Sequence, residues 1–250
     1  MPNEPSNEPR SLLVEPDLGL RRAWETALRG RGFSVMGTAQ RDAAQVLAES
    51  FRPDVIVWAA HDRAADASIR SLREYTDAYI IATGADLTPE RRVDLLGAGA
   101  DVVLPLPCQP IEVAAQAGAL MRRPRTAMPS PEPSPTTRSR FGPMEIDASR
   151  REVIVNGRRL TLTRIEFDVL AHLCAHPQSV VSRTDLVRSI WGPDWSGDSH
   201  MVDVHVSNVR RKLDQVAPGV SVIQTVRGLG FRLAAELVEH SAATSSLAGR

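Results

Sequence analysis

Near the C-terminal end, MVDVHVSNVRRKL (201–213) carries side chains whose types and spacing suit hydrogen bonding to base edges. Wound as a helix at about 100° per residue, it stacks Val202, Val206, Val209 and Leu213 in one narrow apolar stripe. Opposite lie His200, Val204, Ser207, Asn208 and Arg211, with Met201, His205 and Lys212 alongside. Asp203 flanks this face and shares its side with Arg210. In a major groove, an apolar group meets a thymine methyl, an asparagine bonds adenine, and an arginine reaches guanine or phosphate. Val204 is the telling residue, because a merely solvated face has no use for it. Next comes QTVRGLGF (224–231), in which Arg227 heads a Gly-x-Gly turn between two apolar strands. Glycine permits the tight reversal. Arg227 is then carried outward toward a minor groove or a phosphate, with Thr225 on the strand before it. A phosphate-cradling glycine loop needs a helix after it, and here a strand follows. Helix and arginine-tipped hairpin together predict a grip on double-stranded DNA.

The elements that must position these groups are legible upstream. MEID and REVIVNGRRLTL read as short strands, with Asn156-Gly157 as a two-residue hairpin signal. Thr163-x-x-Glu166 is a capping box opening a helix to about His176. Ser182-x-x-Asp185 starts a second helix that ends near Trp191, before Gly192-Pro193, and Asp198 or Ser199 caps the third. Packing explains Trp191, while Trp195 is assigned to the loop surface. A small leading antiparallel sheet, three helices and a terminal hairpin make a winged helix-turn-helix, an α+β domain over 141–235.

Ahead of it, over 10–122, short apolar runs alternate with amphipathic stretches. The strands are SLLV (11–14), FSVMGT (33–38), VIVW (55–58), YIIAT (79–83) and VVL (102–104). Helices fall at Asp17–Arg31, Ala43–Ser50, around Ile69–Tyr75, at Pro89–Ala98 and at Pro110–Met121. Such alternation implies right-handed crossovers and an α/β fold with a doubly wound five-stranded parallel sheet. Five prolines in 122–140 mark 123–140 as a linker, and residues 1–9 and 236–250 are expected to be disordered.

Equal numbers of basic and acidic residues, 30 each, conceal an asymmetry: −5 over 1–121, +4 over 122–140, +2 over 141–235 and −1 beyond. An acidic front and a basic back fit nucleic-acid contact in the second half. Cys108 and Cys174 sit far apart in apolar surroundings and read as reduced thiols. His172 and His176 have i,i+4 spacing, but no Cys, Asp or Glu completes a metal site. No nucleophile–base arrangement or nucleotide motif is visible, so neither enzymatic activity nor a cofactor is expected. The N-terminus has no apolar core and no run approaches about 18 apolar residues, which predicts a cytoplasmic protein without membrane contact.

The segments LTLTRIEFDVLAHLCAHPQSVVSRTDLVRSIWG, MVDVHVSNVRRKLD and IQTVRGLGFRL closely resemble the winged-helix effector domain of OmpR/PhoB-type response regulators. The resemblance implies that the helix around Val204–Arg211 enters the major groove and that Arg227 is the wing arginine. It further implies that the loop Gly192–Ser199 contacts RNA polymerase or a neighbouring protomer. Residues 11–121 resemble the receiver domain of the same two-component family less faithfully. A working receiver needs a phosphoacceptor aspartate after the third strand, an acidic pair for Mg²⁺ after the first, a Ser/Thr after the fourth and a Lys after the fifth. In this sequence those positions correspond to Ala59, to Glu15 and Pro16, to Thr83 and to Leu106. The lysine loss needs no alignment, since Lys212 is the first and last lysine in the chain. The family's dimer face maps to Arg91, Arg92, Asp101 and Glu112, which remain available for ion pairs, while Gln116 replaces an expected arginine.

These residues predict a DNA-binding transcriptional regulator, homodimeric at least on promoter DNA, with an atypical receiver that works by dimerisation or partner or ligand binding. Two other readings compete. In one, Asp54 or Asp62 serves as a substitute phosphoacceptor; in the other, the pseudo-receiver is an interaction scaffold.

Overall fold

Runs of branched apolar residues that are buried on both faces form the central strands, and the computed structural model describes residues 8–121, 138–193, 195 and 199–234. The chain divides into two units, at Arg122 and Arg123.

The first unit contains β1 (Arg10–Val14), α1 (Leu18–Arg29), β2 (Ser34–Thr38), α2 (Ala43–Phe51), β3 (Val55–Ala59), α3 (Ala64–Leu72), β4 (Tyr79–Ala85), α4 (Pro89–Ala98), β5 (Val102–Leu106) and α5 (Pro110–Met121). All pairings are parallel, in the order β2-β1-β3-β4-β5. Every residue of β3 is buried, as a strand covered by helices on both faces requires. Helix starts follow sequence chemistry: Asp17 accepts from the Leu20 amide at 2.7 Å, and the Thr88 hydroxyl caps α4 ahead of Pro89. One helix differs from expectation. The segment expected at Ile69–Tyr75 begins at Ala64, its small residues hiding the start, and ends at Leu72. Arg73 leaves the helix there to bind the Gly99 carbonyl at 2.8 Å and the buried Asp101 carboxylate.

The second unit opens with a four-stranded antiparallel sheet of β6 (Arg138–Phe141), β7 (Met144–Asp147), β8 (Glu152–Val155) and β9 (Arg158–Arg159). Strand β6 therefore lies partly inside the stretch read as linker, which is corrected at 138–140. Its alternating arginines looked like linker composition, but they pair across to β7, Arg138 with Asp147 and Arg140 with Glu145. The linker proper, residues 122–137, and the tail beyond 234 lie outside the described residues. Asn156 and Gly157 both take positive φ, 51° and 74°, in the β8–β9 reversal. Then come α6 (Arg164–Ala175), β10 (Val181–Ser182), α7 (Arg183–Trp191), α8 (Met201–Val216), β11 (Ile223–Val226) and β12 (Gly230–Leu233). Thr163 and Glu166 form the expected capping box, and Ser182 caps α7 through the Asp185 amide at 3.0 Å. The start of α8 differs, because its N-cap is His200 and makes no side-chain cap bond. Asp198 lies outside the described residues. Among those residues, no helix is long and apolar enough to cross a membrane.

Candidate nucleic-acid interface

Val202, Val206, Val209 and Leu213 are buried, so the predicted stripe is the face by which α8 joins the core. Val204 is half-buried, Ser207 and Arg211 are exposed, and His200 is exposed at the N-cap, 3.6 Å from Asp203, with Met201 half-buried beside it. Two expected contact residues are not on this surface: His205 is 1% exposed and Asn208 4%. For His205 the cause is bulk at the end of α7. The Trp191 ring lies 5.7 Å from His205 and packs against that side of α8, while Asn208, one turn later, is buried as well. Trp195, assigned to the loop surface, is half-buried, 5.8 Å from Trp191. The accessible arc of α8 thus shifts toward Ser207 and Arg211.

Lys212 also turns inward. Its ammonium sits 2.6 Å from Glu166 Oε2, the same carboxylate oxygen that accepts from the Thr163 amide at 2.8 Å. The chain's single lysine therefore ties α8 to the capping box of α6.

Strands β11 and β12 form the wing, with Val226 paired to Gly230 and β12 also bridged to β10. Arg227 is exposed at the tip, and Gly228 there takes φ 73°. Leu229, 63% exposed beside it, is an apolar tip residue that strand alternation gave no reason to single out. Gly230 is obligatory, because a Cβ on it would lie 2.0 Å from the Val181 carbonyl oxygen. Thr225 is exposed as expected, but its hydroxyl accepts from Arg210 Nη2 at 2.9 Å. Sequence reading also missed the stack behind the wing. Arg183 grips Asp203 at 2.7 Å, and the Arg183 and Arg210 guanidiniums lie 4.9 and 6.0 Å from the Phe231 ring centre. The Asp203–Arg210 spacing was the available signal, but its third member sits on another helix.

The first unit offers a second site at the carboxyl ends of its strands. Glu15 is fully buried at the end of β1; its Oε1 accepts from the Asp17 amide at 2.9 Å and lies 3.2 Å from His61 Nε2. Pro16, next to it, is exposed. Ala59 ends β3, and the Arg41 guanidinium reaches its backbone: Nη2 lies 3.3 Å from the Ala59 carbonyl oxygen. Arg41 Nη1 holds both Asp62 oxygens at 2.8 and 2.7 Å, and this guanidinium keeps the Asp62 carboxyl below its ordinary value. Thr83 is buried, its hydroxyl 3.4 Å from the Trp58 carbonyl, and Leu106 is half-buried at the end of β5. Asp54 belongs to the opposite end of the sheet, where its carboxylate accepts from the Arg10 amide at 2.9 Å. At about 3.3 Å per residue, it is some 16 Å from the Ala59 position.

The expected dimer face is also altered. Arg91 is engaged within the unit, 2.6 Å from Asp66 and 2.8 Å from the Asp62 carbonyl. Asp101 is wholly buried against Arg73 and the Ile80 amide. Both are thus engaged within the unit. Arg92 and Gln116 are half-buried, and Glu112 is exposed.

Residues 157–233 match the family model described as "Transcriptional regulatory protein, C terminal". Over nearly the whole chain, the sequence is similar to curated transcriptional regulators. It is 35% identical to the transcriptional regulatory protein PrrA of Mycobacterium tuberculosis over 228 residues, covering 90% of this chain and 96% of that protein. It is 33% identical to the response regulator MprA of Mycobacterium ulcerans over 229 residues, covering 90% and 97%. The chain belongs to the OmpR/PhoB family of response regulators. As a member it is a DNA-binding transcriptional regulator of the two-component class. A solved structure of a RitR variant shares the fold at a TM-score of 0.73, with 22% identity over 90% of this chain and 99% of that one.

Proposed function

We propose that this OmpR/PhoB regulator binds specific double-stranded DNA through Val204, Ser207 and Arg211 on α8 and Arg227 on the wing, as a homodimer at least on DNA. The observation that supports this most directly is the unburied arc of α8 next to an exposed arginine tip, the two joined by Arg210. Val204 supplies apolar contact for a thymine methyl, Ser207 a hydroxyl, and Arg211 a fork for guanine or phosphate. Arg227 suits a narrow minor groove. The loop 192–199 is the segment proposed to face RNA polymerase or the neighbouring protomer, and the cytoplasm, where the DNA lies, is the proposed location.

The first unit, in this reading, works without aspartyl phosphorylation, by dimerisation or by binding a partner or ligand. Its donor set argues for that. With Ala59 and Pro16 at two of the expected ligand positions, Glu15 is the carboxylate that remains of the three, with one oxygen already engaged, and a guanidinium sits at the end of β3. Placing a cation beside Arg41 sets like charges together, so the residues do not fit a divalent ion.

The test is binding of the full chain to a duplex that it recovers from a random-sequence DNA pool. Arg211→Ala and Arg227→Ala should each weaken binding by roughly 1–3 kcal/mol and lower the salt slope by about one. Parental affinity in both variants, or recovery of no duplex at all, would overturn the proposed contacts.

A further inference from the structure

The DNA grip just proposed needs two contacts on separate elements to hold a fixed separation. The wing has little of its own with which to do so. It is a hairpin of two four-residue strands, joined to β10 through two residues. A two-stranded hairpin is marginal alone.

What ties it to α8 is Arg210. From this helix, Nε and Nη2 donate to the Ile223 carbonyl at 3.0 and 2.8 Å, at the start of β11, and Nη2 donates to Thr225 Oγ1 at 2.9 Å, two residues along the same strand. The guanidinium also faces the ring of Phe231 on β12, which is 2% exposed and is met by Arg183 as well. Asp203, one face-sharing position back on α8, holds Arg183 through both carboxylate oxygens and provides negative charge near Arg210. Burial pulls the basicity of Arg210 down and Asp203 opposes that. One side chain of α8 thus contacts both strands of the wing.

We infer that Arg210 is a positioning residue: its forked guanidinium, spanning Ile223 O and Thr225 Oγ1 over Phe231, sets the place of Arg227 relative to the reading arc of α8. The inference rests on the DNA grip proposed above. It assigns Arg210 an effect on DNA that passes through Arg227 rather than through a phosphate of its own. A lysine keeps the charge but is a single-nitrogen donor without the planar fork, so it cannot replace the span.

The experiment is a double-mutant cycle in the full chain, read on the duplex that the parental protein recovers from a random-sequence pool. Recovery of that duplex tests the DNA grip by itself; the cycle tests the positioning role. Arg227→Ala, Arg210→Lys and the double variant are compared by equilibrium binding, by salt slope and by hydroxyl-radical footprint on the wing side. Arg210→Lys is expected to lose about as much affinity as Arg227→Ala, with the wing-side protection fading in both. The double variant should be within about twofold of Arg210→Lys. Losses that multiply, or a lysine variant at parental affinity with an intact footprint, would overturn the inference and make Arg210 an independent phosphate contact or a bystander. Should Arg210→Lys fail to fold, Thr225→Val removes one arm of the span. It should cost several-fold and also combine non-additively with Arg227→Ala; independence there overturns the inference equally.

Discussion

Lys212 directs its charge into the domain, and the consequence is measurable. Removing it as Lys212→Met takes the cation from the Glu166 carboxylate, which is 2% exposed and also accepts from the Thr163 amide. Breaking a buried pair on one side costs about 3–5 kcal/mol; since the Lys212 side chain is 26% exposed, about 2–3 kcal/mol is the expected loss after solvent screening. Adding Glu166→Gln, which keeps the cap but removes the charge, should restore at least half of that in urea unfolding. No recovery would mean that Lys212 acts elsewhere. Asn208 makes a parallel case: Asn208→Ala should lower the thermal midpoint while leaving base preferences in a binding-site selection unchanged. A changed preference would return it to the reading surface. His172 adds a pH dependence. Burial, followed by repulsion from His176, lowers its basicity below the ordinary 6.5. The folded state therefore favours the neutral ring, so its contribution to stability is present above pH 6.5 and is lost as pH falls through the folded value. A thermal midpoint that declines between pH 7 and 5.5, and declines less in His172→Gln, is the expected result.

Glycine and capping chemistry decide the elements, and their effects separate cleanly at the wing. Gly228 takes φ 73° with nothing within 4 Å of an added Cβ, so Gly228→Ala pays only the left-handed backbone cost of about 1–2 kcal/mol. Gly230→Ala would drive a methyl into the Val181 carbonyl and must part β10 from β12; a loss of roughly 3 kcal/mol is expected. Equal unfolding midpoints for the two would contradict this account. The same scale shows what was legible from residue order. Local signals, such as Asn156-Gly157, Thr163 with Glu166, Ser182 with Asp185 and the valine stripe of α8, are satisfied within a few residues and could be read directly. Strand β6 was hidden because its arginines are answered by acids on another strand. Asn208 and His205 were misplaced for a related reason: a helical wheel shows which residues share a face, but not what packs on it from other elements, as Trp191 of α7 does on His205. The clamp of Arg183, Asp203, Arg210 and Phe231 draws on α7, α8 and β12, and no single window of sequence contains it.

At the scale of the whole molecule, the decisive contrast is between a DNA-binding unit whose accessible groups suit its family role and a receiver-like unit in which Glu15, Asp62, Asp66 and Asp101 already hold partners. Arg41 holds Asp62, and Arg91 holds Asp66 and the Asp62 carbonyl, so the loop between β3 and α3 is tied from two sides. Because Asp62 titrates below the usual carboxylate range, its pairing with Arg41 persists at neutral pH and loosens only in acid, as pH falls through that lowered value. A phosphoryl group on Asp62 would have to displace a guanidinium that bridges both of its oxygens, without a lysine to neutralise the added charge. Asp54 is worse placed, at the far end of its strand. Incubation of the full chain with acetyl phosphate and Mg²⁺ should therefore give no aspartyl-phosphate adduct by intact mass, and DNA affinity should be unchanged to within about twofold. Arg41→Ala frees Asp62 and is the sensitive control: if even this variant stays unmodified, the missing lysine and acidic partner suffice to explain the silence. A stoichiometric adduct on the parental chain, lost in Asp62→Asn, would instead establish Asp62 as acceptor and make phosphorylation the input to the DNA-binding unit.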